Sequence, residues 1–440
     1  MPMQSACETL ALFGGPKSVV RPFTRYNRIG PEEAEAARRV IDTGVLSKFI
    51  GAWHPDFNGG PAVKEFEQAW REHFRIQHAV TVNSCTSGLI AAVGAIGTQP
   101  GDEIIVSPWT MCASATAILH WNAIPVFADI ESDTFCLDPA SVERNITPYT
   151  RAIIAVDIFG HPANLDALSA LARKHGLRLI SDAAQAPGAF YKGRHAGTLA
   201  DIGVFSLNYH KHIHTGEGGV AVTNDDVIAE RLRLIRNHAE AVAGDKGVTD
   251  LTNMLGYNFR LGEIECAIGL EQLKKLNRIV EERQRIGSAL TAGLTGLRGL
   301  RTPVVQEGCT HVYYMYPLII EADATGIGRA QILKALRAEG LECLAGGYQN
   351  LHLLPMYQQK IAYGSSGFPW NSSISRRDVS YERGICPVAE TLHDSSYLGI
   401  VLCLYEFCPS EVETTVAAFQ KVWANLDSLR HMDDRSSPES

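Results

Sequence analysis

The feature of this 440-residue sequence that most limits its possible folds is a series of short apolar runs between Ala79 and Asn224, each closed by turn residues. Seven runs read as strands, at 79–83, 103–107, 125–128, 152–157, 178–181, 203–207 and 219–223. Val and Ile occupy both alternating sets of positions in them, which is the pattern of strands covered on both faces. Residues 165–176 carry the amphipathic pattern of a crossover helix, the connection that parallel strands require. The expectation is an α/β architecture built on one mostly parallel, seven-stranded sheet.

The chain is longer than the roughly 250–300 residues at which a single hydrophobic core stops growing. It therefore divides, on this reading, into an N-terminal segment 1–58, a large domain 59–285, a smaller C-terminal α+β domain 286–429 and a frayed polar tail 430–440. A long helical pattern over 260–289 links the two domains. The small domain has a strand run at 313–320 and helical patterns near 329–339 and 410–426. A composition of 45% hydrophobic and 20% charged residues is that of a globular enzyme. The net charge is -8 with Lys and Arg scattered, so nothing attracts a phosphate backbone and no nucleic-acid partner is expected. No run approaches ~18 uninterrupted apolar residues, so no membrane partner is expected either, and the cytoplasm is the expected compartment. The ten cysteines include no Cys-x-x-Cys, and Cys403 and Cys408 match no zinc or redox spacing.

The chemistry concentrates where runs end. Ser206-Leu-Asn-Tyr-His-Lys211-His-Ile-His-Thr215-Gly-Glu-Gly-Gly219 places one lysine in a polar turn before a glycine-rich segment. Most lysines are solvated loop residues. A lysine that forms an imine must instead spend time as the neutral amine, in a partly desolvated place near other cationic groups, and the end of an interior strand offers one. In Ser181-Asp182-Ala-Ala-Gln185 an acidic residue directly follows a buried run. Asp182 alone reads equally well as a helix cap; paired with Lys211 it points to pyridoxal phosphate (PLP), which needs a carboxylate to keep its ring nitrogen protonated. Asn83-Ser84-Cys85-Thr86-Ser87-Gly88 is a small polar turn before an Ala-rich helix, where free N–H groups and the helix dipole receive a phosphate, with Thr86 and Ser87 the candidates. His210, His212 and His214 alternate as metal ligands do, but the interposed lysine and the missing fourth ligand argue against a metal. Cys85 reads as a packing residue. Gly216-Glu-Gly-Gly219 lacks the spacing of a nucleotide loop.

These blocks, in this order, resemble the DegT/DnrJ/EryC1/StrS family of aminotransferases. The resemblance extends to Leu10-Ala-Leu-Phe-Gly-Gly-Pro16, Gly59-Gly60-Pro61 with Phe66-Glu67, Gly101-Asp102-Glu103, and Gly256-Tyr257-Asn258-Phe-Arg260. It implies the aspartate-aminotransferase fold, PLP fold type I. It also implies that Lys211 is the Schiff-base lysine and proton shuttle, that Asp182 pairs with the pyridinium, and that Gln185 lies against the ring. Ser206, Thr86 and Ser87 would hold the phosphate. Asn258 would reach the cofactor phosphate of a neighbouring subunit, which makes the enzyme a homodimer with shared active sites. Many relatives stack an aromatic residue on the ring where Pro108-Trp-Thr110-Met111-Cys112 has methionine; Met111 is preferred for that contact over Trp109. The implied substrates are L-glutamate or L-glutamine as amino donor and a keto-sugar, nucleotide-linked, or keto-cyclitol as acceptor, in amino-sugar or antibiotic biosynthesis. The competing readings are a sugar dehydratase of the same fold and a PLP-binding regulator without chemistry.

Overall fold

The computed structural model describes residues 8–430, so all but the first residue of the expected tail lies outside the described residues. All seven runs are strands, with ends within two residues of expectation: β1 His78–Val82, β2 Glu103–Val106, β3 Ile124–Phe127, β4 Thr150–Val156, β5 Arg178–Asp182, β6 Ile202–Ser206 and β7 Gly219–Thr223. They form one sheet in the order β1-β7-β6-β5-β4-β2-β3. The pairs β2–β3, β2–β4, β4–β5 and β5–β6 are parallel. β7 runs antiparallel to both of its neighbours. Every residue of β2, β3, β6 and β7 is buried, which is why these runs show no apolar-polar alternation.

Helices α1 Pro31–Asp42, α2 Pro61–Phe74, α3 Cys85–Ala95, α4 Ala113–His120, α5 Leu165–His175 and α6 Asp226–Arg236 accompany this sheet. α3 is buried from Ser87 to its end. A Cβ on Gly88 would stand 2.7 Å from Val204 Cγ1, so α3 lies on β6 at a distance that only glycine permits. The long helix α7, Glu263–Leu294, has 32 residues and is about 48 Å long. Its first half buries Cys266, Leu273 and Leu276 against the large-sheet side, and its last turns bury Leu290 and Leu294 in a second core. The expected boundary at 285/286 therefore falls inside one continuous helix.

The second core surrounds an antiparallel sheet of β8 Leu300–Arg301, β9 Tyr316–Ile320, β10 Leu344–Gly346 and β11 Tyr397–Ile400, in the order β8-β9-β11-β10. Helices α8 Arg329–Ala338 and α9 Pro409–Ala424 pack in it together with Leu10, Val19 and Phe23 from the start of the chain. The strand expected from 313 begins only at Tyr316, because Tyr313 adopts a left-handed φ of 49° and its N–H bonds to His311 Nδ1 instead of a ladder. Between β10 and β11 the chain makes an excursion, 347–386, that returns to the large sheet. Arg377 Nε and Nη2 donate to Glu103 at 2.6 and 3.1 Å, and Tyr381 donates to Pro125 O at 2.7 Å. Tyr363 donates to Leu119 O at 2.9 Å. The excursion thereby covers terminal strand β3, whose open edge would otherwise invite pairing.

Candidate active site

The polar residues collect at the rim where the parallel strands end. Asp182, the last residue of β5, is buried; Ser114 Oγ donates to its Oδ2 at 2.7 Å and Ala184 N to its Oδ1 at 3.2 Å. Thr110 Oγ1 stands 2.7 Å from Ser114 Oγ and holds that hydroxyl in place. Burial pushes the Asp182 carboxyl up, opposed by these two hydrogen bonds and by Lys211. Among the described residues no cation forms an ion pair with it. A buried carboxylate of this kind is costly without a cationic partner, and a protonated pyridine nitrogen is such a partner.

Lys211 comes from the loop that joins β6 to β7. The loop is closed at its base by Leu207 N→Gly218 O at 2.9 Å and Thr215 N→Leu207 O at 3.0 Å. Lys211 is 8% exposed, and its Nζ lies 4.4 Å from the centre of the Tyr314 ring. Its amine forms no hydrogen bond or ion pair among the described residues. Burial lowers its pKa, opposed by Cys85, Cys403 and Asp182, so the neutral amine is within reach. The three neighbouring histidines do not converge. His212 Nε2 is 2.8 Å from Val312 O, His214 Nδ1 accepts from Gly216 N at 3.4 Å, and the His210 ring packs beside Tyr209 and Tyr314. Burial brings His210 down to about 4, with Lys211 adding to the effect.

At the start of α3, Ser84 is the cap: its Oγ accepts from Ser87 N at 3.0 Å. Ser87 is spent internally, its hydroxyl donating to Asn83 Oδ1 at 2.6 Å. The Thr86 hydroxyl makes no hydrogen bond among the described residues, and Ser206 Oγ accepts only from Asn208 N at 3.3 Å. Both are available to a phosphate, together with the first-turn N–H groups that a helix leaves unpaired. A Cβ at Gly219 would be 2.8 Å from Cys85 N, so the glycine lets β7 pass beneath this turn. Cys85 itself is held well above its ordinary pKa by burial and then by Asp182, as befits a packing thiol.

Gln185 Oε1 accepts from Phe159 N at 2.7 Å. Met111 lies 67% exposed, outside the buried group. Trp109 is fully buried; it stacks on Phe135 at 5.8 Å and donates from Nε1 to Asn350 Oδ1 at 2.8 Å, so both its ring and its N–H are committed. Asn258 is exposed. Its Oδ1 accepts from Arg260 Nε at 2.7 Å, while its backbone O accepts from Asn83 Nδ2 at 3.2 Å, so the Gly-Tyr-Asn block runs beside the phosphate turn with the side chain facing out. Ser84, Ser114, Tyr314 and Tyr348 also build the site. A serine just ahead of an apolar helical run is the signal that could have pointed to Ser84; the others act through partners remote along the chain.

A seven-stranded α/β sheet with a desolvated lysine and a buried carboxylate at its rim defines a PLP-dependent aminotransferase of fold type I. Residues 51–384 match the DegT/DnrJ/EryC1/StrS aminotransferase family, and the chain belongs to it. It is 35% identical over 447 aligned residues to the L-glutamine:2-deoxy-scyllo-inosose aminotransferase of Streptomyces lividus, covering 97% of this chain and 99% of that one. It is 36% identical to the GDP-perosamine synthase of Caulobacter vibrioides over 68% of this chain and 79% of that protein. The crystal structure of S. venezuelae DesV in complex with a ketimine intermediate superposes with a TM-score of 0.74 at 30% identity, covering 89% of this chain and 94% of that one.

Proposed function

We propose that this protein moves an amino group from L-glutamate or L-glutamine to the keto group of a nucleotide-linked sugar or a cyclitol, as a step in amino-sugar or antibiotic biosynthesis. The observation that carries this reading is a buried amine, Lys211, at the same rim as a buried carboxylate, Asp182, neither of which has an ion pair among the described residues. The activities by which the Streptomyces and Caulobacter relatives are named support the acceptor classes.

Bound PLP supplies an electron sink for breaking the C–H bond beside the amine. Lys211 Nζ would be the amine that holds the cofactor and the base that moves the proton at its reacting carbon. Asp182 would keep the ring nitrogen charged, with Ser114 Oγ orienting the carboxylate. Thr86, Ser206 and the first turn of α3 would receive the phosphate, and Ser87 would act indirectly by holding Asn83. Gln185 would lie against the ring, whereas Met111, exposed at the rim, would reach it only by moving inward from its place in this chain. Asn258 faces out of its own chain because it serves a neighbouring subunit, which makes the working form a homodimer; exposed Trp53, Tyr209, Leu251 and Leu255 give such a partner apolar surface to cover. Among the described residues no helix is long and apolar enough to cross a membrane, and we place the reaction in the cytoplasm.

The test is the visible spectrum of the purified protein before and after L-glutamate or L-glutamine. One donor is expected to convert the band of bound cofactor to that of its amine form. Lys211→Ala is expected to lose the normal band and about 10³-fold or more of the activity, the scale of a positioned acid-base group. A wild-type band that responds to neither donor would move elimination ahead of amino transfer, and failure to bind PLP would overturn the reading.

A further inference from the structure

Tyr314 takes no part in the chemistry above, yet the chain is bent out of its strand to place it. Its neighbour Tyr313 is left-handed, φ 49°, a conformation that a bulky residue adopts only under constraint. Val312 N donates to Gly160 O at 2.9 Å, and Tyr313 N donates to His311 Nδ1 at 2.9 Å. The Tyr313 ring stacks on His311, with centres 4.1 Å apart, and lies so close to α7 that a Cβ on Gly287 would collide with it. Tyr314 follows, partly buried, with its ring centre 4.4 Å from Lys211 Nζ. The lysine loop and the tyrosine segment are tied beside this contact, because His212 Nε2 stands 2.8 Å from Val312 O. Lys211 is thus held over an aromatic face by residues adjacent to it and by residues adjacent to the tyrosine. A cation on such a face is stabilised by the ring quadrupole. The other ionisable groups around the amine are Asp182 on β5, Cys85 at the start of α3, Cys403 after β11, and His210 and His212 on its own loop.

We propose that Tyr314 is a positioning residue, a platform on which the Lys211 ammonium rests whenever the lysine is not bonded to the cofactor. The ring offers the amine an alternative to an ion pair with Asp182, whose carboxylate is needed by the cofactor nitrogen. The proposal rests on the reading that Lys211 is the amine of the reaction.

The experiment reads the pKa of the Lys211 amine in the full-length protein freed of cofactor, from the pH dependence of its acylation measured by mass spectrometry of the peptide that carries it. The wild type is compared with Tyr314→Phe, with Tyr314→Leu, and with proteins that carry at 314 a phenylalanine bearing one, two or three ring fluorines, which drain the ring face while keeping its shape. Tyr314→Phe retains the face, and its value is expected to stay close to that of the wild type. Tyr314→Leu is expected to lie about half to one and a half units lower, the worth of a cation–π contact. The fluorinated series is expected to fall with each fluorine, and it decides the matter alone should Tyr314→Leu fail to fold. A flat fluorine series, or a Tyr314→Phe value as low as that of Tyr314→Leu, overturns the platform. Borohydride reduction of the PLP-loaded wild type separates that failure from failure of the reading beneath it. PLP fixed on Lys211 together with a flat series rejects the platform alone, whereas PLP fixed elsewhere or nowhere rejects both.

Discussion

The rim of the large sheet and the 347–386 excursion are both irregular backbone, yet they are held in opposite ways. At the rim, Asp182 is the last residue of a paired strand and Lys211 hangs from a loop whose base is closed by backbone hydrogen bonds. In the excursion, regular structure shrinks to single turns such as Leu351–Leu353 and Pro355–Gln358. There the position is set by side-chain anchors, Arg377 on Glu103, Tyr381 on Pro125 and Trp370 on Tyr381. Rim positions are thus inherited from the sheet, and substitutions there should change chemistry more than stability. Excursion positions rest on a few contacts each, and the reverse should hold.

The strongest way to break this contrast is Asp182→Asn. The neutral amide cannot hold a pyridinium charge, and activity is expected to fall on the order of a hundredfold or more, as when one charge-stabilising group is removed elsewhere. Urea unfolding of the same variant should change little; a large loss of stability would show that the rim carries structural weight. Next comes Arg377→Met, which leaves buried Glu103 without its cation. Breaking a wholly buried pair costs roughly 3–5 kcal/mol, and with the Arg377 side chain 35% exposed the expected loss is about 2 kcal/mol. Its urea midpoint should drop while the spectrum of bound PLP stays that of the wild type; an altered spectrum would mean the excursion controls the ring.

The smallest effect is one of pH. Asp157, just beyond β4, is fully buried and pushed up to about 7, by burial against the opposing pull of Ala163 N and Ser181 Oγ. An ordinary unfolded aspartate titrates near ~3.9. Between those values the native state binds the extra proton, so folding stability falls as pH rises through the window. Asp157→Asn removes that slope, and its stability relative to the wild type is expected to rise by about 1 kcal/mol or more between pH 5 and pH 8. Parallel stability curves for the two proteins would place the titration of Asp157 elsewhere.

What sequence reasoning could read follows the same division. The strands were legible because residues buried on both faces leave unbroken apolar runs, and Asp182 and Lys211 were legible because they adjoin those runs. Ser114 was not, since it matters only through Asp182, 68 positions away. Trp109 was open to a place on the cofactor until Asn350, 241 positions away, proved to hold its N–H in the core. Arg377 and Glu103 are 274 positions apart, and neither shows in its neighbours that it has a partner. Tyr313 has the composition of a strand residue, whereas its left-handed backbone leaves the ladder and brings the next residue, Tyr314, beneath Lys211.

The antiparallel course of β7 has one more consequence. Because β6 exits and β7 re-enters at the same rim, with Ser206 opposite Gly219, the segment carrying Lys211 starts and finishes at neighbouring points of the sheet. Its exposed positions, such as Tyr209 and Gly216, can therefore vary without shifting the register of β6 on β7. Its middle cannot be exchanged so freely, because Ile213 is buried in the core, His212 is bonded to Val312 O and His214 N to Gln272 on α7.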